Sequence, residues 1–359
     1  MNLFNSQMKE LGYNSKISEL IGENVDHEEL ARVIAEHKER YTVQNDEGIL
    51  SAEITGNMRF SARSRADLPA VGDWVRITKM DQQNAIILEC YPRYSVLERK
   101  AVGKTGELQI IAANIDHAFI VMAVGHDFNL NRMERYLVTC RNGNIHPIVL
   151  LTKTDLVSEL EKEELQGLIT KRAPGVTTLA VSNETGDGFD ELQGAFKPYR
   201  TFCFIGSSGV GKSTVINRLR KSESILTSAV SASTGKGKHT TTHRELMLLP
   251  NKSIVIDTPG MRGLGIASGT QGLEQTFDAI AVLSKQCRFA DCKHENETGC
   301  AVLHAVDNGE LAEEAYQNYM KLRREKEHFE STVHEKRKKG REFGKMVKEV
   351  SKFKKNNKF

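Results

Sequence analysis

The octapeptide Gly206-Ser207-Ser208-Gly209-Val210-Gly211-Lys212-Ser213 restricts this chain more than any other part of it. It fits the spacing G-x-x-x-x-G-K-[ST]. The apolar run Phe202-Cys203-Phe204-Ile205 before it reads as a buried strand, and Thr214 to Arg220 after it reads as a helix. A strand, a glycine-rich turn and a helix in that order wrap backbone N–H groups and a helix N-terminus around a polyphosphate. In such a loop Lys212 reaches the β- and γ-phosphates and the Ser213 hydroxyl ligates Mg²⁺. The expected nucleotide contacts are therefore Gly206, Ser207, Ser208, Gly209, Val210, Gly211, Lys212, Ser213 and Thr214, with Lys212 also serving catalysis. A chance glycine-rich turn is the alternative, and both flanking elements count against it.

The surrounding chain alternates strand and helix patterns. Strands are expected at 117–124, 146–152, 177–181, 201–206 and 253–257, and helices at 130–142, 158–172, 189–196 and 212–220. That alternation implies an α/β domain with a parallel sheet. The longest apolar stretch, Ile110 to Val124, is broken by Asn114, Asp116 and His117, so it reads as a buried strand and not as a membrane span. Asp257-Thr258-Pro259-Gly260 follows the apolar run Ser253 to Ile256. An Asp at that place, Asp257, helps hold Mg²⁺, and the Gly260 N–H meets the γ-phosphate. Between these motifs, Gly235-Lys236-Gly237-Lys238-His239-Thr240-Thr241-Thr242 suits a switch loop, with Thr240 or Thr241 as a second Mg²⁺ ligand. Met261 stands where many GTPases use a Gln to orient water. His239 is the candidate replacement, against the plainer reading of an exposed loop histidine.

A phosphate loop does not choose the base. Thr152-Lys153-Thr154-Asp155 ends the apolar run Ile148 to Leu151, at the strand edge where open parallel sheets bind ligands. It resembles the Asn-Lys-x-Asp guanine motif. Asp155 would accept from N1–H and the N2 amino group, and the Lys153 stem would lie over the ring. Thr152 replaces Asn, and a hydroxyl makes fewer contacts than an amide. Val181-Ser182-Asn183 resembles the Ser-Ala motif that supports the base, with Asn183 in place of Ala. The base motifs thus precede the phosphate motifs, the reverse of the usual GTPase order. Joining old termini and opening new ones keeps the same sheet.

Residues 1–38 read as a helical extension, with Asp26 an N-cap before His27-Glu28-Glu29-Leu30. From Arg40 to Tyr94 short β-type runs follow at Tyr41-Thr42-Val43, Ile49 to Ile54, Met58 to Ala62, Trp74 to Lys79 and Ala85 to Glu89. Such spacing implies an OB-type β-barrel. Arg59, Arg63, Arg65, Arg76 and Arg93, with Tyr41, Phe60 and Trp74, give that barrel the charge and rings of a nucleic-acid surface; for Trp74 alone a core role is the plainer reading.

Of six cysteines, Cys90, Cys140 and Cys203 are scattered in apolar segments and read as reduced core residues. Cys287, Cys292 and Cys300 cluster around His294, a Cys₃His set for one structural Zn²⁺, with His304 a substitute ligand. From Val333 to Phe359 eleven Lys/Arg face three Glu, which suits an acidic polymer as partner. The acidic N-terminus is no secretory signal, so a cytoplasmic protein with no membrane partner is expected.

With all these features in order, the chain resembles the circularly permuted, ribosome small-subunit-dependent GTPase A family (RsgA-like, TRAFAC class). The resemblance covers nearly the whole chain, and the switch segment 235–241 and the cysteine spacing are its most specific parts. It implies a multidomain fold: a helical extension at 1–38, an OB-fold barrel at 39–100, a permuted P-loop GTPase domain at 101–270, and a zinc-binding helical domain with basic tail at 271–359. It further implies GTP and GDP as ligands, with Mg²⁺. The implied partners are the small ribosomal subunit and its rRNA, in late maturation, with hydrolysis stimulated by the subunit and coupled to release. It favours His239 in catalysis and His294 over His304 as zinc ligand, and a monomer is the expected state. The competing readings are another P-loop enzyme, such as an ATPase or nucleotide kinase, and a nucleotide-gated RNA-binding module with little turnover.

Overall fold

The computed structural model describes residues 6–22, 25–37, 40–100, 108–221, 244–258, 269–331, 335 and 338. The chain opens with two short helices, α1 (Ser6–Glu10) and α2 (Ser15–Ile21). Asn14 starts α2 by accepting from the N–H groups of Lys16 and Ile17. Met8, Leu11, Tyr13 and Ile17 from this hairpin pack on Leu30, Trp74 and Tyr91.

The expectation of helix through residue 38 fails at Leu30. Asp26 caps, through Glu28 N–H at 3.1 Å, only the single turn His27–Glu29. Strand β1 (Leu30–His37) follows. Its first five residues are all buried, because Ala31 and Val33 face one core and Leu30 and Ile34 face others. A strand covered on both faces shows no alternation, so its pattern does not separate it from a helix.

Strands β2 (Arg40–Gln44), β3 (Ile49–Ile54), β4 (Trp74–Lys79) and β5 (Asn84–Cys90) complete a barrel. The pairing order is β1-β2-β3-β5-β4, and β4 pairs back on β1, which closes the ring. Val33, Val43, Ala52, Val75, Ile77 and Ile87 fill it. Met58 to Ala62, expected as a strand, lies instead mostly in helix α3 (Gly56–Ser61). The Thr55 hydroxyl caps it by accepting from Met58 N–H at 3.1 Å. The fifth strand of the barrel is therefore β1.

The hairpin β6 (Val96–Lys100) and β7 (Leu108–Ala113) leads into β8 (His117–Ala123). The apolar stretch from Ile110 to Val124 is thus two strands. It breaks at Asn114, whose backbone is left-handed (φ 54°) and whose amide donates to the Gly72 carbonyl at 3.0 Å. Helix α4 (Leu130–Asn142), β9 (His146–Thr152), α5 (Glu159–Arg172), β10 (Thr178–Ala180), α6 (Phe189–Ala195), β11 (Thr201–Ile205), α7 (Lys212–Lys221), β12 (Arg244–Leu248) and β13 (Ile254–Asp257) follow. The order β10-β9-β8-β11-β13 is parallel, as expected. One face packs Ile120, Met122, Leu151 and Ile205 against α4; the other packs Phe119, Val121, Phe202 and Phe204 against α6 and α7. Burial on both faces is why these strands read as continuous apolar runs.

Strand β12 has no counterpart in the sequence reading. It runs antiparallel to β13 and antiparallel to β1, pairing Ala35 with Glu245 and Glu36 with Arg244. Barrel and α/β sheet are thereby one continuous eleven-stranded sheet. Arg32 locks this junction. Its guanidinium, 1% exposed, donates to the carbonyls of Leu11 (2.5 Å), Gly72 (3.2 Å) and Asn114 (3.1 Å) and to the Thr201 hydroxyl (3.1 Å), and stacks on Trp74.

The C-terminal region contains α8 (Gln271–Thr276), α9 (Asp278–Ser284), α10 (Ala301–Asp307) and α11 (residues 313–331). Helix α8 lies so close to α4 that a Cβ on Gly272 would meet the Val138 carbonyl at 2.5 Å. Arg135 of α4 pairs with Glu325 of α11 at 2.7 Å, which docks α11 on the same helix. Among the described residues no helix is long and apolar enough to cross a membrane.

Candidate functional site

The phosphate loop leaves the buried end of β11 and enters α7 at Lys212. Its glycines answer to geometry. A Cβ on Gly206 would lie 2.4 Å from the Val121 carbonyl, and Gly209 (φ 84°) and Gly211 (φ 95°) are left-handed. Val210 is buried, whereas Ser208, Gly209, Ser213 and Thr214 are exposed along the mouth of the loop. Lys212 donates to the carbonyls of Gly206 (2.8 Å) and Ser207 (2.5 Å). Burial lowers its pKa, against the opposing charges of Asp257 and Asp127. Burial raises the pKa of Asp257, and Lys212 works against that rise. The carboxylate of Asp257 at the end of β13 and the hydroxyl of Ser213 are hard oxygen donors of the kind Mg²⁺ takes. Thr258, next to Asp257, is buried and donates to the Phe204 carbonyl at 2.8 Å, tying β13 to β11 just below the loop.

The base motif lies at the same edge. Thr152 ends β9 and is fully buried. Its hydroxyl donates to the Val210 carbonyl at 2.6 Å, with the Met122 carbonyl at 3.3 Å. The residue that departs from the guanine pattern is thus a brace between β9 and the phosphate loop. Lys153 is left-handed (φ 60°) and half-buried, and the Thr154 N–H bonds the Val181 carbonyl at 3.4 Å. Asp155 is exposed, and its Oδ1 accepts from the buried Ser182 hydroxyl at 2.6 Å. Ser182 in turn accepts from the N–H groups of Glu184 and Thr185. Arg218 of α7 donates to the Asn183 carbonyl at 2.6 Å and packs over the Phe189 ring. It clamps the 182–188 loop to the helix of the phosphate loop. His239, Thr240, Thr241, Gly260 and Met261 lie outside the described residues.

Three residues near this edge were missed by the sequence reading. Asp127 follows β8, pairs with Arg132 at 2.7 Å, and its charge reaches Lys212. Tyr136 of α4 is buried with Ser207 as a hydrogen-bond partner. Arg218 is the third. Only for Asp127 did a rule apply, that of a carboxylate just past the carboxyl end of a sheet strand.

Among the described residues, Cys287, Cys292, His294 and Cys300 bring their ligand atoms within 4.8 Å of one another. Cys287 Sγ lies 3.9 Å from Cys300 Sγ and 3.6 Å from His294 Nδ1, which is 3.4 Å from Cys300 Sγ. Metal bonds of about 2.3 Å to sulfur and about 2.0 Å to nitrogen give tetrahedron edges of about 3.5–3.8 Å. The separations among Cys287, His294 and Cys300 are close to these edges, and the four-donor set fits Zn²⁺ in chemistry. Burial works against the Cys287 thiolate, but N–H groups of Ala301 and Val302 and the neighbouring thiols bring its pKa below the ordinary value. His304 is exposed on α10 and outside the cluster.

The barrel divides the residues expected to face nucleic acid. Tyr41 and Trp74 are 2% and 1% exposed and belong to the core. Arg93 is bound to Asp73 at 2.6 Å and to the carbonyls of Ala66 and Leu68, and Arg76 pairs with Glu89 at 3.4 Å. By contrast Phe60, on α3, is 91% exposed, and Arg59, Arg63 and Arg65 around it are exposed too. Cys140 and Cys203 are fully buried with raised thiol pKa values, as core cysteines are.

The phosphate loop and the loop with the guanine-motif pattern, 152–155, meet at one carboxyl edge of a parallel sheet, and the strand before 152–155 comes first in the chain. That arrangement defines the class: a circularly permuted P-loop GTPase, preceded by a β-barrel and followed by a Cys₃His cluster. The family profile described as RsgA GTPase matches residues 90–267, and one described as 50S ribosome-binding GTPase matches 201–339. The chain is 45% identical over 296 residues to the Small ribosomal subunit biogenesis GTPase RsgA 2 of Lactiplantibacillus plantarum, covering 82% of this chain and 83% of that one. It is 40% identical over 327 residues to the RsgA 1 protein of Bacteroides thetaiotaomicron, covering 90% and 91%. The crystal structure of YjeQ from Thermotoga maritima aligns with a TM-score of 0.61 at 25% identity, over 85% of this chain and 98% of that chain. YloQ, described as a circularly permuted GTPase, shares the fold with a TM-score of 0.58 over 88% and 99%. The chain belongs to the RsgA GTPase family.

Proposed function

We propose that this chain hydrolyses GTP on the small ribosomal subunit late in its maturation, and leaves the subunit after hydrolysis. The observation that carries the reading is the joining of the two loops: Ser182 holds Asp155, and Arg218 ties the same loop to α7. A purine read by Asp155 then has its phosphates over residues 206–214. In this reading Lys212 neutralises charge on the transferred phosphoryl group, and Ser213, Asp257 and Thr240 or Thr241 hold Mg²⁺. Gly260 contacts the γ-phosphate, and His239 orients the attacking water in place of the Gln that Met261 does not supply. Cys287, Cys292, His294 and Cys300 hold one structural zinc, which leaves no open coordination position. The domains follow the order of the sequence, with the barrel starting at β1 and not at residue 39. The protein works as a cytoplasmic monomer whose barrel and basic tail contact rRNA. Mg²⁺ supplies charge neutralisation at the phosphates when bound.

The test is GTP hydrolysis with and without purified small subunits, with ATP as the control. Turnover alone is expected at about 10⁻⁴ to 10⁻² per second, rising strongly with subunits. ATP turnover equal to that of GTP, or a GTP rate indifferent to subunits, overturns the reading.

A further inference from the structure

Asn183 stands where the base-supporting motif has an apolar Ala, and its side chain is an anomaly. Its Oδ1 is buried and has no hydrogen-bond partner. Its Nδ2 makes no hydrogen bond among the described residues either. Asn183 is half-buried, and a buried carbonyl oxygen in that condition is costly. Nothing in the interior explains its presence.

The neighbourhood does. A Cβ built on Gly211 of the phosphate loop would meet Asn183 Nδ2 at 3.3 Å and the Thr152 hydroxyl at 3.9 Å. The carboxamide of Asn183 and the hydroxyl that replaces the guanine-motif Asn therefore flank one point of the loop. The Thr152 hydroxyl is spent on Val210. The main chain of Asn183 is pinned by Arg218, and the residue before it holds the base-reading carboxylate of Asp155.

We infer that the Asn183 side chain supplies the amide that Thr152 no longer provides, donating from Nδ2 to the acceptor edge of guanine, N7 and O6. With Oδ1 turned into the protein, the end left to face a ligand is a donor. A donor suits guanine O6 and repels the N6 amino group of adenine. Asn183 is thus a second base-specificity residue beside Asp155. This rests on guanine reading by Asp155 at the same site.

The experiment compares dissociation constants of GDP, ADP and 7-deaza-GDP, in which N7 becomes C–H, for wild type, Asn183→Ala and the isosteric Asn183→Asp. One net hydrogen bond corresponds to roughly tenfold, so Asn183→Ala should bind GDP roughly tenfold more weakly than wild type. Its affinity for 7-deaza-GDP should fall much less, because the N7 contact is already gone there. Asn183→Asp, which turns an acceptor toward N7 and O6, should bind GDP no better than Asn183→Ala. It also keeps the shape of the wild-type residue, should the alanine variant fold poorly. Adding Thr152→Asn to Asn183→Ala should recover GDP binding. Unchanged GDP affinity in both single variants, or an equal loss for GDP and ADP, overturns the inference, because the donor discriminates through O6, which adenine lacks. A wild type that binds ADP as tightly as GDP would instead overturn the guanine reading through Asp155.

Discussion

The nucleotide cleft and the Cys₃His cluster are built in opposite ways. All four cluster ligands come from residues 287–300, between α9 and α10, and short-range turns alone bring their atoms together. The cleft gathers Thr152, Asp155, Ser182, Lys212 and Asp257 from the ends of strands distant in the chain. Its precision comes from cross-braces: Thr152 to Val210, Ser182 to Asp155, Arg218 to Asn183, and Thr258 to Phe204. None of these braces uses the order of the strands in the sequence. Adjacency in the sheet is enough, and this is why the base motif can precede the phosphate motif without loss. A site made from one loop has no such freedom. It also has no redundancy, so the two sites should fail differently.

The largest effect is expected at the cluster. Cys300 is at once a member of the Cys₃His cluster, the N-cap of α10, through Leu303 N–H, and part of the core with Leu273, Phe277, Ile280 and Val302. Structural zinc sites contribute apparent binding energies of about 10–16 kcal/mol in small domains. Cys300→Ala should therefore reduce zinc content from about one per chain to near zero, as metal analysis would read. Limited proteolysis should then cut between α9 and α11 first. GDP affinity should stay within about twofold, a free-energy change well under 1 kcal/mol. A matching collapse of GDP binding would show that the cluster and the cleft are not independent.

At the cleft a single lesion should cost less and change selectivity instead. Asp155 is exposed, and Asn at that position can still accept from Ser182. Asp155→Asn removes the acceptor for guanine N1–H and presents a donor that suits the C2 carbonyl of xanthine. GDP affinity should fall by about 1–3 kcal/mol while xanthosine diphosphate gains, with the unfolding transition unmoved. Equal weakening toward both nucleotides would place Asp155 in the scaffold of the loop and not against the base.

The same contrast decides what the sequence could disclose. The phosphate loop and the cysteine cluster are local, and both could be read from spacing. The parallel strands could be read because burial on two faces leaves unbroken apolar runs. That same property hid β1: Leu30 to Ile34 is covered on both sides, and its one charge, Arg32, is buried by carbonyls from three segments. Alternating apolar residues at Met58 and Phe60 imitate a strand, but no neighbour pairs with them and Thr55 caps a helix. The role of Thr152 needed Val210 to be beside it, a contact 58 residues away. Strand β12 shows its place only through its partners, β13 and β1.

The smallest effect on binding is expected at Phe60, one of two kinds of aromatic on the barrel. Composition puts Trp74 and Phe60 together as rings among arginines, and the structure parts them. Trp74 is 1% exposed under Tyr13 and Arg32, so Trp74→Ala should cost about 3–5 kcal/mol of stability. Phe60 is 91% exposed on α3, with Arg59, Arg63 and Arg65 exposed nearby. Its removal should leave stability within about 0.5 kcal/mol. If the barrel binds unpaired RNA bases, Phe60 is the ring placed to stack on one. Phe60→Ala should then weaken binding to small-subunit rRNA by about 1 kcal/mol, roughly fivefold, at fixed salt. The slope of affinity against salt should not move, because no phosphate contact is lost. A changed slope would mean that the helix carrying Phe60 has shifted its arginines. Unchanged affinity would leave the barrel with charge alone on this face, and the RNA contact would have to be sought on the basic tail.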